Sequence, residues 1–183
     1  MRPAVFFERD GVLSLPIVER GHQITPLSLD DFRPNLAARA SLLALKQAGF
    51  ALLVTTNQPG LARGYLMRRE LERMHDLLRI QFPLDDILVC PHDEADDCNC
   101  RKPQPGLFTE AAFKWHLDLE RSFVVSDKWP DAQAAFLVGA TSLLLRSPWI
   151  GNSHHDFVLT DLPGVVARIL QPHEAPLLLM DQV

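Results

Sequence analysis

Residues 5–16 read VFFERDGVLSLP, a short apolar run that stops abruptly at three charged residues and a glycine. Such a strand, emptying into Glu8, Arg9, Asp10 and Gly11, has the form of a turn that handles phosphate at a strand's carboxyl end. The same grammar recurs along the chain. Ala4–Phe7, Ala51–Thr55, Ile87–Cys90, Ser122–Val125, Thr141–Leu145 and Phe157–Leu159 are short, continuously apolar segments. Between them, 36–48, 68–81, 106–116, 131–138 and 163–170 carry helical periodicity, the first closed by Gly49. Uninterrupted apolar strands alternating with helices predict an α/β fold: a Rossmann-like parallel sheet with helices on both faces. The sequence shows no repeat and no low-complexity linker, so residues 1–183 are expected to form one domain.

In such a sheet, ligands sit beyond the carboxyl ends of the strands. The polar clusters ERDG, TTNQPG, CPHDEADDCNCRKP and SDKWPD each begin where an apolar strand ends. Four loops should therefore share one rim. Glu8, Asp10, Asp127 and Asp131 would meet there and repel one another unless a hard cation such as Mg²⁺ joined them. Taken singly these acids are ordinary; Asp131, after Pro130, could simply start a helix. Two acid-rich loops at two strand ends favour the metal. The TTNQPG loop offers hydroxyl, amide and backbone donors of the kind an oxyanion needs, although such residues also build plain turns. Lys102, between Arg101 and Pro103, would bring positive charge to the same place.

All three cysteines lie in one short segment. Cys90, His92, Cys98 and Cys100 form C-x-H-x5-C-x-C, three thiols and an imidazole, which is a complete tetrahedral set for a structural Zn²⁺. The flanking residues are acids and prolines instead of core residues, so zinc would staple a loop with little apolar content of its own.

Composition excludes other classes. The chain is 47% hydrophobic and 22% charged, within the range of folded proteins, and its formal net charge of −5 argues against a nucleic-acid binder. A signal peptide is not expected, because Glu8, Arg9 and Asp10 break the first apolar run. The segment 136–145 is too short, and too rich in Gly, Thr and Ser, to span a membrane. A cytoplasmic monomer with a small phosphorylated partner, and neither nucleic acid nor membrane, is the expectation. His154 and His155 read as a surface turn, Phe113 and Trp115 as packing, and Leu177–Leu179 as an apolar tail.

The ordered set ERDGV, TTNQPGLARGY, CPH…CNCRKPQPG and SDKWPDAQAA resembles the haloacid dehalogenase (HAD) superfamily of phosphotransferases. Within it, the zinc loop leading to RKP and the TNQ-x-G-x-ARG run resemble the branch that holds heptose bisphosphate phosphatases and histidinol phosphatases. The likeness spans almost the whole chain. It implies a Mg²⁺-dependent phosphoric monoester hydrolase of carbohydrate metabolism. Glu8 would stand at the nucleophile position, and Asp10 would be the general acid/base with its carbonyl on Mg²⁺. Thr56 and Asn57 would bind the transferring phosphoryl group, and Lys102 would neutralise it. Asp127 would ligate Mg²⁺, with Asp131 beside it to hold the ion or to orient Lys128. Arg63 and Arg101 would touch the substrate.

Two residues depart from the pattern the resemblance implies. Aspartate is usual where Glu8 stands, and glycine where Ser126 stands. One extra methylene moves the Glu8 carboxylate by about 1 Å, a misplacement that can cost roughly 10²-fold in rate. A slowed sugar-phosphate phosphatase is therefore the expected function. A phosphate-binding module without catalysis, or a histidinol-phosphate phosphatase, are the alternatives. The loop 13–34, which should close over the substrate, matches the family only loosely.

Overall fold

The computed structural model describes residues 1–171, so the Leu177–Leu179 segment lies outside the described residues. Strands β1 (Ala4–Phe7), β4 (Ala51–Asn57), β5 (Asp86–Cys90), β6 (Phe123–Ser126), β7 (Thr141–Leu145) and β8 (Phe157–Leu159) form one sheet in the order β5-β4-β1-β6-β7-β8. Every neighbouring pair in it is parallel. The helices are α1 (Ala38–Gln47), α2 (Arg68–Gln81), α3 (Gly106–Trp115), α4 (Trp129–Leu137) and α5 (Leu162–Leu170).

Side chains alternate across the sheet with the strand period of two, which divides the core into two layers. Val5, Phe7, Leu52, Val54 and Val125 face α1, α2 and α5 through Leu42, Leu45, Met74, Leu78, Val165 and Ile169. Ala4, Phe6, Leu53 and Val124 face α3 and α4 through Leu107, Phe108, Ala111, Ala134 and Ala135. Phe6 and Phe108 meet edge to face with ring centroids 5.0 Å apart. Both faces of the sheet are covered, as the unbroken apolar strands require.

Register, more than packing, prepares the site. Phe7 pairs with Val54 on one side and with Val125 on the other. The residues that follow, Glu8, Thr55–Thr56 and Ser126–Asp127, therefore emerge at the same height on the same rim. Strand β1 lies inside the sheet, and the chain returns past it from β5 to β6, so this rim is a topological switch point.

The observed bounds differ from the expected ones in two instructive places. Helix α4 begins at Trp129 instead of Asp131, because Pro130 falls in the first turn, where its missing N–H costs nothing. A second sheet, the antiparallel pair β2 (Ile17–Glu19) and β3 (His22–Ile24), stands in the loop 13–34 with no signal of alternation to announce it. Its turn is Arg20-Gly21, both at positive φ (50° and 80°), the geometry that suits a two-residue hairpin.

Phe108 anchors α3 to the central strand. Phe108→Ala should destabilise the protein by about 3–5 kcal/mol, read from urea unfolding. A loss below about 1 kcal/mol would show that the α3 face collapses to fill the gap and does not hold β1.

Candidate active site

The rim is organised around one buried ammonium. Lys102 Nζ donates to Glu8 Oε2 (2.5 Å), to the Thr55 carbonyl (2.7 Å) and to Asp131 Oδ1. The lysine is only 3% exposed. Burial pulls its pKa down, but Asp131 and Glu8 more than reverse that, so the ammonium is held charged above its usual range. Glu8 Oε1 accepts from the Arg9 backbone N–H (2.8 Å) and the Thr56 hydroxyl (2.9 Å). Burial pushes Glu8 up, yet Lys102 and then Lys128 outweigh it and keep the carboxylate ionised. Donors from the turn after β1, from strand β4 and from the loop after β5 thus converge on one carboxylate at the end of β1.

Asp10 stands beside it with its own set of donors. Arg9, fully buried, forks onto Asp10 through Nε–Oδ1 and Nη2–Oδ2, both 2.9 Å. Gln58 Nε2 (3.1 Å) and Ser14 Oγ (3.0 Å) donate to the same carboxylate. Burial raises the Asp10 pKa, but Arg9 overrides it and holds the group low. Behind Arg9 lie the Phe32 ring, 5.4 Å from the guanidinium carbon, and His75 Nε2, 3.4 Å from Nη1. His75 is pulled down to about 3 by burial and by Arg9, and so stays neutral.

Asp127 is different in kind. Its Oδ1 is shielded from solvent and has no hydrogen-bond partner. The side chain lies against Gly11, where an added Cβ would come within 2.1 Å of Asp127 Oδ2, and Gly11 also holds φ at +96°. Glycine is required there on both counts. Asp127 is pushed up to about 7; burial is the main cause, Lys128 opposes it, and Glu8 and Asp131 add to it. Lys128 Nζ donates to the Asp10 carbonyl (2.8 Å) and lies 3.8 Å from Asp127 Oδ1. Asp131 is raised as well, by burial first, with Lys102 working against it. The cluster thus sets four acids, Glu8, Asp10, Asp127 and Asp131, against three cations, Arg9, Lys102 and Lys128. With all four acids ionised it carries one negative charge in excess.

The cysteine loop closes on itself. The ligand atoms of Cys90, His92, Cys98 and Cys100 all lie within 4.8 Å of one another, with sulfur–sulfur distances of 3.6 and 3.7 Å. A tetrahedron with 2.3 Å metal–sulfur arms has edges of about 3.8 Å, so the cluster has the dimensions of a zinc site. Burial pushes Cys98 up, but backbone N–H groups of Arg101 and Cys100 bring it to about 7.

The remaining expected site residues face this loop. Arg63 forks onto Asp93, with Nε to Oδ2 at 2.7 Å. Arg101 pairs with Glu94 at 2.7 Å. Asn57 gives both ends of its amide to the Lys102 backbone (3.0 and 3.1 Å), which fixes the lysine in place. Arg63 also lines a cleft of about 650 Å³ between the β2–β3 hairpin and the 59–65 loop. Ser126 is fully buried, avoids positive φ, and accepts the Lys128 N–H on its hydroxyl (3.1 Å).

This geometry has close counterparts. A HAD-hydrolase-like family profile matches residues 99–162. The D-glycero-beta-D-manno-heptose-1,7-bisphosphate 7-phosphatase of Escherichia coli K12 is 32% identical over 197 residues, covering 93% of this chain and 96% of that one. The protein of the same name from Photorhabdus laumondii is 34% identical, covering 91% and 96%. The chain belongs to the heptose bisphosphate phosphatase family. A solved D,D-heptose 1,7-bisphosphate phosphatase from B. bronchiseptica, complexed with magnesium and phosphate, superposes with a TM-score of 0.79 at 29% identity, covering 93% of this chain and 99% of that one.

Among the residues of this family member that sequence reasoning passed over, Arg9 and Gln58 matter most. Each sat inside a quoted motif, ERDG or TTNQPG, but only the fold shows both turned onto Asp10. An arginine between two acids at the end of an apolar strand was the available signal.

The raised Asp127 pKa has a measurable sign. Between about pH 4 and 7 the folded chain keeps a proton on Asp127 that the unfolded chain has released, so this group erodes stability as pH rises through that window. In buffer without divalent cations, the melting temperature of Asp127→Asn minus that of the parent should grow from about pH 4 to 7 and level off above it. A difference independent of pH would show that Asp127 ionises normally.

Proposed function

We propose that this chain is a Mg²⁺-dependent phosphatase of small sugar phosphates, heptose bisphosphate-like, working through a carboxylate nucleophile at Glu8. One observation carries the reading. Thr56, the Arg9 N–H and Lys102 converge on the Glu8 carboxylate, with Asp10 next to it, at the end of the inner strand. Those are the donors that a transferring phosphoryl group needs, since such transfer is mostly positioning and charge stabilisation. The names of the relatives supply the substrate class. The reading includes a single HAD-like domain over residues 1–183, acting as a cytoplasmic monomer; among the described residues no helix is long and apolar enough to cross a membrane.

In the proposed reaction a Glu8 oxygen attacks phosphorus and forms a phosphoglutamate as the ester oxygen leaves. Asp10, which must first take a proton from solvent against the pull of Arg9, gives it to that oxygen. Asp10 then takes a proton from water as the water attacks phosphorus, releasing phosphate and restoring Glu8. Arg9 and Gln58 hold the Asp10 carboxylate for both transfers. Glu8, Asp127 and the Asp10 carbonyl, with Asp131 behind them, would hold Mg²⁺. The unpartnered Asp127 Oδ1 and the surplus of acid fit a hard cation. Bound there, Mg²⁺ supplies charge to offset that of the phosphoryl oxygens. A non-catalytic module is not favoured, because the acid, base, lysine and threonine parts of the site all remain assembled.

The glutamate has a specific cost. Its longer stem carries the carboxylate into the grip of Thr56 and Lys102, where the phosphoryl oxygens are to go. Glu8→Asp should withdraw it and raise kcat on sugar phosphates by something on the order of 10²-fold, with EDTA abolishing turnover in both forms. A fall in kcat would show a site rebuilt around glutamate.

The cysteine cluster is proposed to hold structural Zn²⁺. Protein purified without chelator should contain about one Zn²⁺ per chain, and Cys98→Ser should lower both zinc content and thermal stability. Zinc-free wild-type protein of full stability would refute the assignment.

A further inference from the structure

Gln23 lies on β3 of the small hairpin, and both atoms of its amide are shielded from solvent without a hydrogen-bond partner. A buried donor and acceptor left without partners are both destabilising, so the position calls for an explanation. The amide is not tucked into the core. Its Nε2 lies 2.7 Å from the point a Cβ on Gly11 would occupy, and Asp127 Oδ2 lies 2.1 Å from that same point. Gln23 therefore reaches across the hairpin to the turn that carries Glu8 and Asp10, alongside Asp127.

Two hollows meet at this residue. Gln23 lines the cleft of about 650 Å³ that also holds Arg63 and Tyr65. It also lines a smaller one, about 210 Å³, with Lys128, Trp129 and Trp149. The Trp149 Nε1 is likewise buried and unpartnered. The hairpin thus sets an amide with one donor face and one acceptor face, both unspent, between the turn of the phosphoryl site and the two hollows that Gln23 lines. A hydroxyl, which donates and accepts at once, is the complement of such an amide; a hydrocarbon or an aromatic ring is not.

We propose that Gln23 is a specificity-determining residue that hydrogen-bonds a hydroxyl on the alcohol portion of the substrate, so that the site selects polyhydroxylated phosphate esters. The proposal rests on the phosphatase reading above and adds the residue that reads the leaving group. A site built around a hydroxyl rejects analogues lacking one, because its own polar groups are then left unpaired.

The test compares Gln23→Leu with the parent on a hexose 1-phosphate and on p-nitrophenyl phosphate, both with Mg²⁺. The ratio of kcat/KM for the sugar ester to that for the aryl ester should fall about tenfold in the variant, the worth of one net hydrogen bond. The melting temperature of the unliganded variant should stay level or rise, since leucine leaves no polar atom unpaired. An unchanged ratio, or a lowered melting temperature with equal losses on both esters, would overturn the proposal in favour of a structural role. Failure of the parent on both esters would instead strike the phosphatase reading. Calorimetric binding of the same two esters then decides the role of Gln23: selective loss of sugar-ester affinity in the variant supports it, and equal affinities refute it.

Discussion

A single buried ammonium ties this site together. Lys102 is reached through the loop after β5, yet its three acceptors come from the end of β1, from β4 and from the first turn of α4. Removing the lysine would strand two carboxylates side by side in low dielectric, which commonly costs several kcal/mol. The lysine does not hold itself there. Asn57 grips its backbone, and Cys100, two residues earlier, belongs to the cysteine cluster. The zinc proposed for that cluster would therefore have a mechanical part, since stapling the cysteines would set the path that delivers the lysine.

Around that ammonium the acids are differentiated by their neighbours. Glu8 and Asp10 are each pulled down by a cation in direct contact, Lys102 for one and Arg9 for the other. Asp127 has only Lys128, 3.8 Å from Oδ1 and beyond hydrogen-bond reach, and burial pushes it up to about 7. Like-charged carboxylates at one rim thus differ in acidity, with Glu8 and Asp10 lowered by their cations and Asp127 raised by burial. The parallel register makes this possible, since it brings Glu8, Thr56 and Asp127 out of the sheet at one level.

Much of this was legible beforehand because apolar runs in a two-faced sheet leave little freedom. All six strands of the main sheet appeared as continuous hydrophobic segments, and α2 was readable to both ends, its stop marked by Pro83. The rim acids, Lys102 and the cysteine cluster followed from where those runs stop. The hairpin did not, because strands of three residues carry too little periodicity, and its Arg20-Gly21 turn is a weak signal beside an Asn-Gly. With it Gln23 went unseen. Arg9 and Gln58 were visible only as letters, and Asn57 was read only as a phosphoryl contact, because which way a side chain turns at a strand end is a tertiary fact. Asn57 shows this plainly, with its amide spent on the backbone of Lys102.

The proposed role of Glu8 as nucleophile rests on the donors that converge on its carboxylate. The most direct measurement is a crystal structure of the wild-type protein grown with Mg²⁺ and beryllofluoride, which adds to a reactive carboxylate as a mimic of its phosphorylated form. The account predicts beryllium bonded to a Glu8 oxygen, with its fluorides on Thr56 and Lys102. Beryllofluoride on Asp10, or no covalent adduct at all while Lys102 remains on Glu8, would contradict it.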